Sequence, residues 1–177
     1  TGKTTVSALL VKLLSEKGVV LAIDAAPSEN LNIALGVPLE KTVGGAREEM
    51  SKRILSGNFD ATASKDVYLD SKIMESLVEW KGFDLLAMGR PEGPGCYCAA
   101  NNMLRASIDR LGKNYAYVVI DSEAGMEHIS RQTTRDVDIL LIMTDPTMRG
   151  VKTAERMKEL IGEMRTKVGE IWLVINR

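Results

Sequence analysis

Two kinds of apolar pattern alternate along this chain. From Thr5 the apolar residues recur every three or four positions as far as Gly18, which predicts an amphipathic helix that the glycine ends. Continuous apolar runs follow, and such runs are typical of strands buried on both faces of a parallel sheet. We predict strands at Val19–Ile23, Asp84–Gly89, Tyr117–Asp121, Ile139–Met143 and Ile171–Ile175. The alternation of helix and strand predicts an α/β fold with a mostly parallel sheet.

Further helices are predicted between these strands. They cover a short segment within 28–38, a charged and solvent-facing segment at 41–55, then 73–80, 101–111 and 147–164. Residues 57–72 show only weak periodicity and receive no assignment. With 177 residues, 45% of them hydrophobic, the chain can bury one core, and we predict a single domain over 1–177.

Composition narrows the class of protein. A net charge of −1 argues against a nucleic-acid-binding surface, and no apolar stretch approaches the roughly 18–20 residues of a membrane span. Two cysteines cannot form a disulfide framework and are more typical of metal or redox chemistry in a cytosolic protein. We therefore expect a cytoplasmic protein without nucleic-acid or membrane partners.

The stretch Gly2-Lys3-Thr4-Thr5 matches the second half of the phosphate-binding loop G-x-x-x-x-G-K-[ST]. Gly2 allows the backbone to approach a phosphate, Lys3 supplies a positive charge to it, and the Thr4 hydroxyl is suited to Mg²⁺. The helix that follows directs its N-terminal amides and dipole at the same anion. A chance tetrapeptide is the alternative. The opening glycines and the strand before them would precede Thr1, so we expect a fragment, with a C-terminal segment after Arg177 missing as well.

Acidic residues end two of the predicted strands. Asp121 closes the strand at 117–121 and is the expected partner of Thr4 in holding Mg²⁺. Asp24 follows Ile23, where a carboxylate would point into the crevice at the carboxyl ends of parallel strands; the alternative is a turn-forming aspartate before Pro27. After Asp121 the chain turns close to the expected γ-phosphate, and we predict a nucleotide-dependent switch at Glu123, Ala124 and Gly125.

Both cysteines lie in the glycine- and proline-rich segment 90–102, as Cys96-Tyr97-Cys98. In an extended segment, side chains two residues apart return to the same face, so two thiolates can converge on one soft metal ion. One pair supplies half of a four-thiolate site, and the same pair from a second subunit would complete it. Buried apolar cysteines or a strained disulfide are the alternatives.

Taken together, the motifs resemble the MinD/ParA group of deviant-Walker P-loop ATPases. They are G-K-T-T, A-x-P-x-x-N-L after Asp24, D-x-x-A-G-x-E-H from Asp121, D-P-[ST] and V-I-N-R. The segment G-R-P-E-G-P-G-C-Y-C-A-x-N narrows the resemblance to CooC-type ATPases, which help to insert nickel into carbon monoxide dehydrogenase. The resemblance implies the three-layer sandwich of P-loop NTPases and an ATP-hydrolysing metallochaperone that dimerises around ATP.

The resemblance also implies residue roles. Asn176 would contact the adenine, Lys3 and Asp24 would serve catalysis, and Ni²⁺ or Zn²⁺ would be held between the C-x-C pairs of two subunits. This sequence departs from the family at Ala26, where a second acid usually helps to orient the attacking water, which implies slow hydrolysis or a substitute such as Glu29. Two alternatives are an ATPase for iron–sulfur cluster assembly and a regulatory or positioning ATPase.

Overall fold

The computed structural model describes residues 2–59, 64–89, 105–123, 136–163 and 167–176. The chain forms two compact units, one spanning residues 4–123 and the other comprising residues 1–3 and 124–177. The helices are α1 (Lys3–Ser15), α2 (Leu31–Leu35), α3 (Val43–Leu55), α4 (Lys65–Met74), α5 (105–111) and α6 (Met148–Glu163). The strands are β1 (Val20–Asp24), β2 (Val78–Trp80), β3 (Phe83–Ala87), β4 (Tyr117–Asp121), β5 (Asp136–Thr144) and β6 (Lys167–Ile175).

The larger unit is built on a four-stranded sheet in the order β2-β3-β1-β4. Strand β1 lies between β3 and β4 and pairs in parallel with both, and all five of its residues are buried. Apolar clusters cover the two faces of this sheet, one including Val20 and Leu85 and the other including Leu21 and Leu86. The continuous apolar runs therefore predicted buried parallel strands correctly.

Helix α1 forms where its periodicity predicts it, but its fully buried positions are not leucines, although Leu10 and Leu14 are partly buried and pack against the same core. The buried positions are Ser7, Ala8 and Val11, whereas Leu9 and Leu13 are 54% and 57% exposed. Small side chains at the contact allow the helix to lie close to the sheet. The Ser7 hydroxyl is thereby buried in the interior.

The segment 73–80 is not a helix, so that prediction is wrong. Helix α4 ends at Met74, and Val78–Trp80 forms β2, which runs antiparallel to β3 with Trp80 opposite Phe83. Gly82, with φ of +85°, allows the tight reversal between the two strands. Pairing with the neighbouring strand outweighs the local apolar spacing from which the helix was predicted.

The smaller unit contains β5 and β6, which pair in parallel from Asp136–Lys167 to Thr144–Ile175. Helix α6 packs its buried Ala154 and Ile161 with Ile142 of β5. Both strands are nine residues long, which is longer than the apolar runs that predicted them. The fold class is the predicted α/β type with mostly parallel strands, and β2 is antiparallel. The organisation as one domain stays a prediction.

Candidate functional site

Two buried acids lie side by side at the carboxyl end of the larger sheet. Asp24 ends β1 and Asp121 ends β4, and the parallel register pairs them directly. They are 1% and 3% exposed, respectively. The sequence predicted both acids at this edge, and the structure brings them together. Two carboxylates held this close in a buried position repel each other and are costly without a compensating charge.

Asp24 binds the loop that follows its own strand. Its Oδ1 accepts a hydrogen bond from the Ala26 amide at 3.1 Å, and its Oδ2 accepts one from the Leu31 amide at 2.9 Å. Burial raises the pKa of Asp24, the amides of Leu31 and Ala26 lower it, and the negative charge of Asp121 raises it further, with a net upward shift. The carboxylate therefore ties both ends of the loop 25–31 to the end of β1.

Asp121 is held through both its side chain and its backbone. The Ser7 hydroxyl of α1 donates a hydrogen bond to Oδ1 at 3.0 Å, and the Ala25 amide donates to the Asp121 carbonyl at 2.9 Å. Thr4 lies one helical turn before Ser7, so the two hydroxyls share a face of α1.

These groups form a set of hard oxygen donors. Carboxylate and hydroxyl oxygens are the protein ligands that Mg²⁺ prefers, usually one or two per ion, with substrate phosphates and water completing the shell. Among the described residues there is no group of three or more histidine, cysteine, aspartate or glutamate side chains that could hold a metal ion. Two carboxylates and a threonine hydroxyl suit an ion that is shared with a bound phosphate.

In the smaller unit, Gly2 lies against Asn176. Gly2 has a φ of +76°, and a Cβ built on it would lie 2.5 Å from Nδ2 of Asn176. The Asn176 amide donates to the Thr144 carbonyl at 2.8 Å, which anchors the end of β6 to the end of β5. Glycine is suited to position 2, because a residue with a side chain would be strained at this φ and Asn176 would have to shift.

The start of the cysteine segment is anchored as well. The Gly44 amide donates to the Met88 carbonyl at 2.8 Å, and Thr42 caps α3 by accepting from the Gly45 amide at 3.1 Å. The N-terminus of α3 is therefore attached to the chain just after β3. Cys96 and Cys98 themselves lie outside the described residues, as do Ala124 and Gly125 of the predicted switch.

Two of the remaining predicted site residues are on the surface. Thr5 is exposed and lines a shallow cavity of about 280 Å³ with Ala8, Leu9, Lys12 and Ala34, and Glu123 is exposed just after β4. Lys3 is the first residue of α1. The roles of these residues in nucleotide binding and switching stay predictions.

Sequence reasoning missed Ser7. Its signal was a hydroxyl three residues after Thr4 on a predicted helix, but serine is common enough in helices that spacing alone carries little weight. The sequence also did not predict that the Asp24 carboxylate accepts hydrogen bonds from backbone amides. Loop closure of this kind has no sequence pattern beyond the aspartate itself.

Comparison with known proteins agrees with these features. The family described as "AAA domain" matches residues 1–171. An uncharacterized ATP-binding protein of Methanocaldococcus jannaschii is 51% identical over 177 residues, covering 99% of this chain and 70% of that protein. The carbon monoxide dehydrogenase accessory protein CooC of Rhodospirillum rubrum is 34% identical over 179 residues, covering 94% of this chain and 67% of that protein.

A solved structure shows the same fold. The septum site-determining protein MinD of Pyrococcus horikoshii, complexed with Mg-ADP, superposes with a TM-score of 0.62 at 18% identity, covering 97% of this chain and 64% of that one.

No helix within the described residues is both long enough and apolar enough to cross a membrane.

Proposed function

This chain belongs to the AAA domain family and is a MinD/ParA-like P-loop ATPase, and from that premise we propose that it is a nickel metallochaperone. ATP binding and hydrolysis would drive the insertion of nickel into carbon monoxide dehydrogenase. The observation that carries this proposal is the Cys96-Tyr97-Cys98 segment, in a chain similar to the accessory protein CooC.

The nucleotide would bind at the N-terminus of α1. Lys3 would hold the β- and γ-phosphates, Thr4 and Asp121 would hold Mg²⁺, and Asn176 would contact the adenine. The ion, when bound, neutralises charge that develops on the phosphates. The position of Gly2 against Asn176 supports a nucleotide contact by Asn176, because Gly2 belongs to the phosphate-binding motif.

Asp24 would act at the γ-phosphate end of the same site. Its carboxylate would be released from the Ala26 and Leu31 amides, or would keep them and order the loop around the nucleotide. The resemblance to the MinD/ParA group implies a second acid at the position of Ala26, and without it hydrolysis would be slow. A slow ATPase suits a switch, since the ATP-bound state then lasts long enough to meet a client.

The metal is the cargo of this reaction. Cys96 and Cys98 of two subunits would supply four thiolates to one Ni²⁺ or Zn²⁺ ion, and the site would be complete only in a homodimer. Glu123, Ala124 and Gly125 would change conformation with the nucleotide state. Metal and nucleotide affinities would then be reciprocally coupled, by roughly 1–3 kcal/mol.

Metal titration of cysteine variants tests the proposal. We expect the wild-type protein to bind one Ni²⁺ or Zn²⁺ per dimer in equilibrium dialysis, and to dimerise with metal in sedimentation velocity. Cys96→Ser combined with Cys98→Ser should abolish both while ATP binding persists. Tyr97→Phe is the matched control within the same segment and should behave as the wild type.

Three results would contradict the proposal. The first is an unchanged metal stoichiometry in the double variant. The second is a brown protein with visible absorbance after anaerobic iron and sulfide reconstitution together with weak nickel binding, which would favour an ATPase for iron–sulfur cluster assembly. The third is a wild-type protein that binds ATP but no metal, which would favour a regulatory or positioning ATPase.

A further inference from the structure

Ser7 is a buried polar residue that the phosphate-binding motif does not include. It is 9% exposed, on the face of α1 that packs on the sheet. A buried hydroxyl costs free energy unless it is hydrogen-bonded. In a helix interior, serine commonly satisfies this need locally by donating to the carbonyl four residues earlier. Ser7 instead donates to Asp121, 114 residues away in the sequence.

The contact determines how Asp121 is oriented. The Ser7 hydroxyl donates a hydrogen bond to Oδ1 of Asp121, and the Ala25 amide donates one to the backbone carbonyl of Asp121. With one carboxylate oxygen and the main chain held, the direction of Oδ2 is set as well. Thr4, the other hydroxyl on this face of α1, lies about 4.5 Å earlier along the helix axis.

We propose that Ser7 is a positioning residue for magnesium, holding the Asp121 carboxylate so that Oδ2 is presented to the ion beside Thr4. The inference rests on the ATP–Mg²⁺ part of the proposed function and is independent of nickel delivery. Groups that orient a metal ligand in this way typically contribute 10- to 100-fold in metal affinity.

A purely structural hydrogen bond is the competing explanation, and it predicts a different result. Removing a structural contact would lower the free energy of unfolding and weaken the binding of every ligand of the site alike. Removing a positioning contact would weaken the binding of the metal and leave the binding of metal-free nucleotide unchanged. Serine to alanine suits this test because alanine has the higher helix propensity, so the variant is expected to fold.

The experiment uses Mn²⁺ as a spectroscopic substitute for Mg²⁺. Electron paramagnetic resonance of free Mn²⁺ gives its affinity for the ADP-bound protein, and a fluorescent ADP analogue in EDTA gives the metal-free nucleotide affinity. For Ser7→Ala we expect Mn²⁺ affinity to fall about 10-fold, with metal-free ADP affinity within twofold of the wild type. Ser7→Thr keeps a hydroxyl and should restore Mn²⁺ affinity to within about threefold.

Ser15→Ala is the matched control, because it removes a hydroxyl from the same helix that donates to the Lys12 carbonyl at 2.8 Å, outside the site. It should leave both affinities unchanged. The inference is overturned if Ser7→Ala binds Mn²⁺ as the wild type does. It is equally overturned if metal-free ADP affinity falls by the same factor as Mn²⁺ affinity. Neither result depends on the cysteines, so nickel delivery could fail while this inference holds.

Discussion

Replacing Gly89 with alanine should disturb the junction that leads into the cysteine segment. Gly89 has a φ of +69°, and a Cβ built there would lie 2.2 Å from Oγ1 and 2.5 Å from Cβ of Thr42. Thr42 must therefore move. It is the N-cap of α3, so its displacement also weakens the hydrogen bond from the Gly45 amide.

The expected loss is the sum of three contributions. A left-handed backbone costs a residue with a side chain about 1 kcal/mol. Loss of a threonine N-cap costs about 1 kcal/mol. Forcing an extra carbon into a filled space costs roughly 1–3 kcal/mol. Gly89→Ala should therefore lower the free energy of unfolding by about 3–5 kcal/mol.

Gly36→Ala is the matched control. Gly36 has nearly the same backbone, with φ of +75°, but a Cβ there would meet nothing within 4 Å. Its cost should be the backbone contribution alone, about 1 kcal/mol. Urea unfolding followed by far-UV circular dichroism gives both values under the same conditions.

A second variant separates the steric clash from backbone strain. Thr42→Gly keeps a tolerated N-cap residue and removes the atoms that the new Cβ would strike, so alone it should cost only a few tenths of a kcal/mol. Combined with Gly89→Ala, it should recover the steric part of the loss, about 1–3 kcal/mol. If Gly89→Ala is no more destabilising than Gly36→Ala, or if Thr42→Gly recovers nothing, the reasoning is refuted.

Two further predictions concern ionisable groups. Burial and the hydrogen bond to Asp84 raise the pKa of Tyr115 above its ordinary value of 10.0; Tyr115→Phe should therefore lower the free energy of unfolding by about 1.5 kcal/mol at pH 8. That difference between variant and wild type should shrink above pH 10, because the phenol then loses its proton in the unfolded chain before it does so in the folded protein. Urea titrations in which the two free energies of unfolding do not converge at high pH would contradict this prediction. Asp121→Asn should lower the pKa of Asp24, because it removes the negative charge that helps to raise it. In the wild type, the contribution of Asp24 to stability decreases as the pH rises through its raised pKa, and in the variant this contribution should depend less on pH. An unchanged Asp24 midpoint in a carboxyl ¹³C titration of the variant would exclude this effect.

The strands were predictable because burial on both faces leaves a direct trace in the sequence. Val20–Asp24 and Phe83–Ala87 are apolar nearly throughout, and each is found within a residue or two of its predicted position. Strand β2 was not predictable, since Val78–Trp80 is only three residues long and exists by pairing with β3. Its local pattern fits a helix equally well.

The candidate site divides in the same way. Asp24 and Asp121 could be placed at one edge, because the carboxyl ends of parallel strands meet there. The Ser7 contact could not be predicted, because it depends on which face of α1 packs on the sheet. The apolar spacing did not single out Ser7, whereas the structure fully buries Ser7, Ala8 and Val11 and partly buries Leu10 and Leu14.

By itself the sequence determined most of the order of helices and strands and the two strand-end acids, and it predicted a phosphate-binding loop at Gly2-Lys3-Thr4. Each of these depends on residues near one another in the chain, through side-chain periodicity or the chemistry of a short motif. Tertiary structure alone decided which oxygen of Asp121 accepts from Ser7 and which amides Asp24 binds. Those choices depend on packing between segments far apart in sequence, where a rotation of one helix changes every partner.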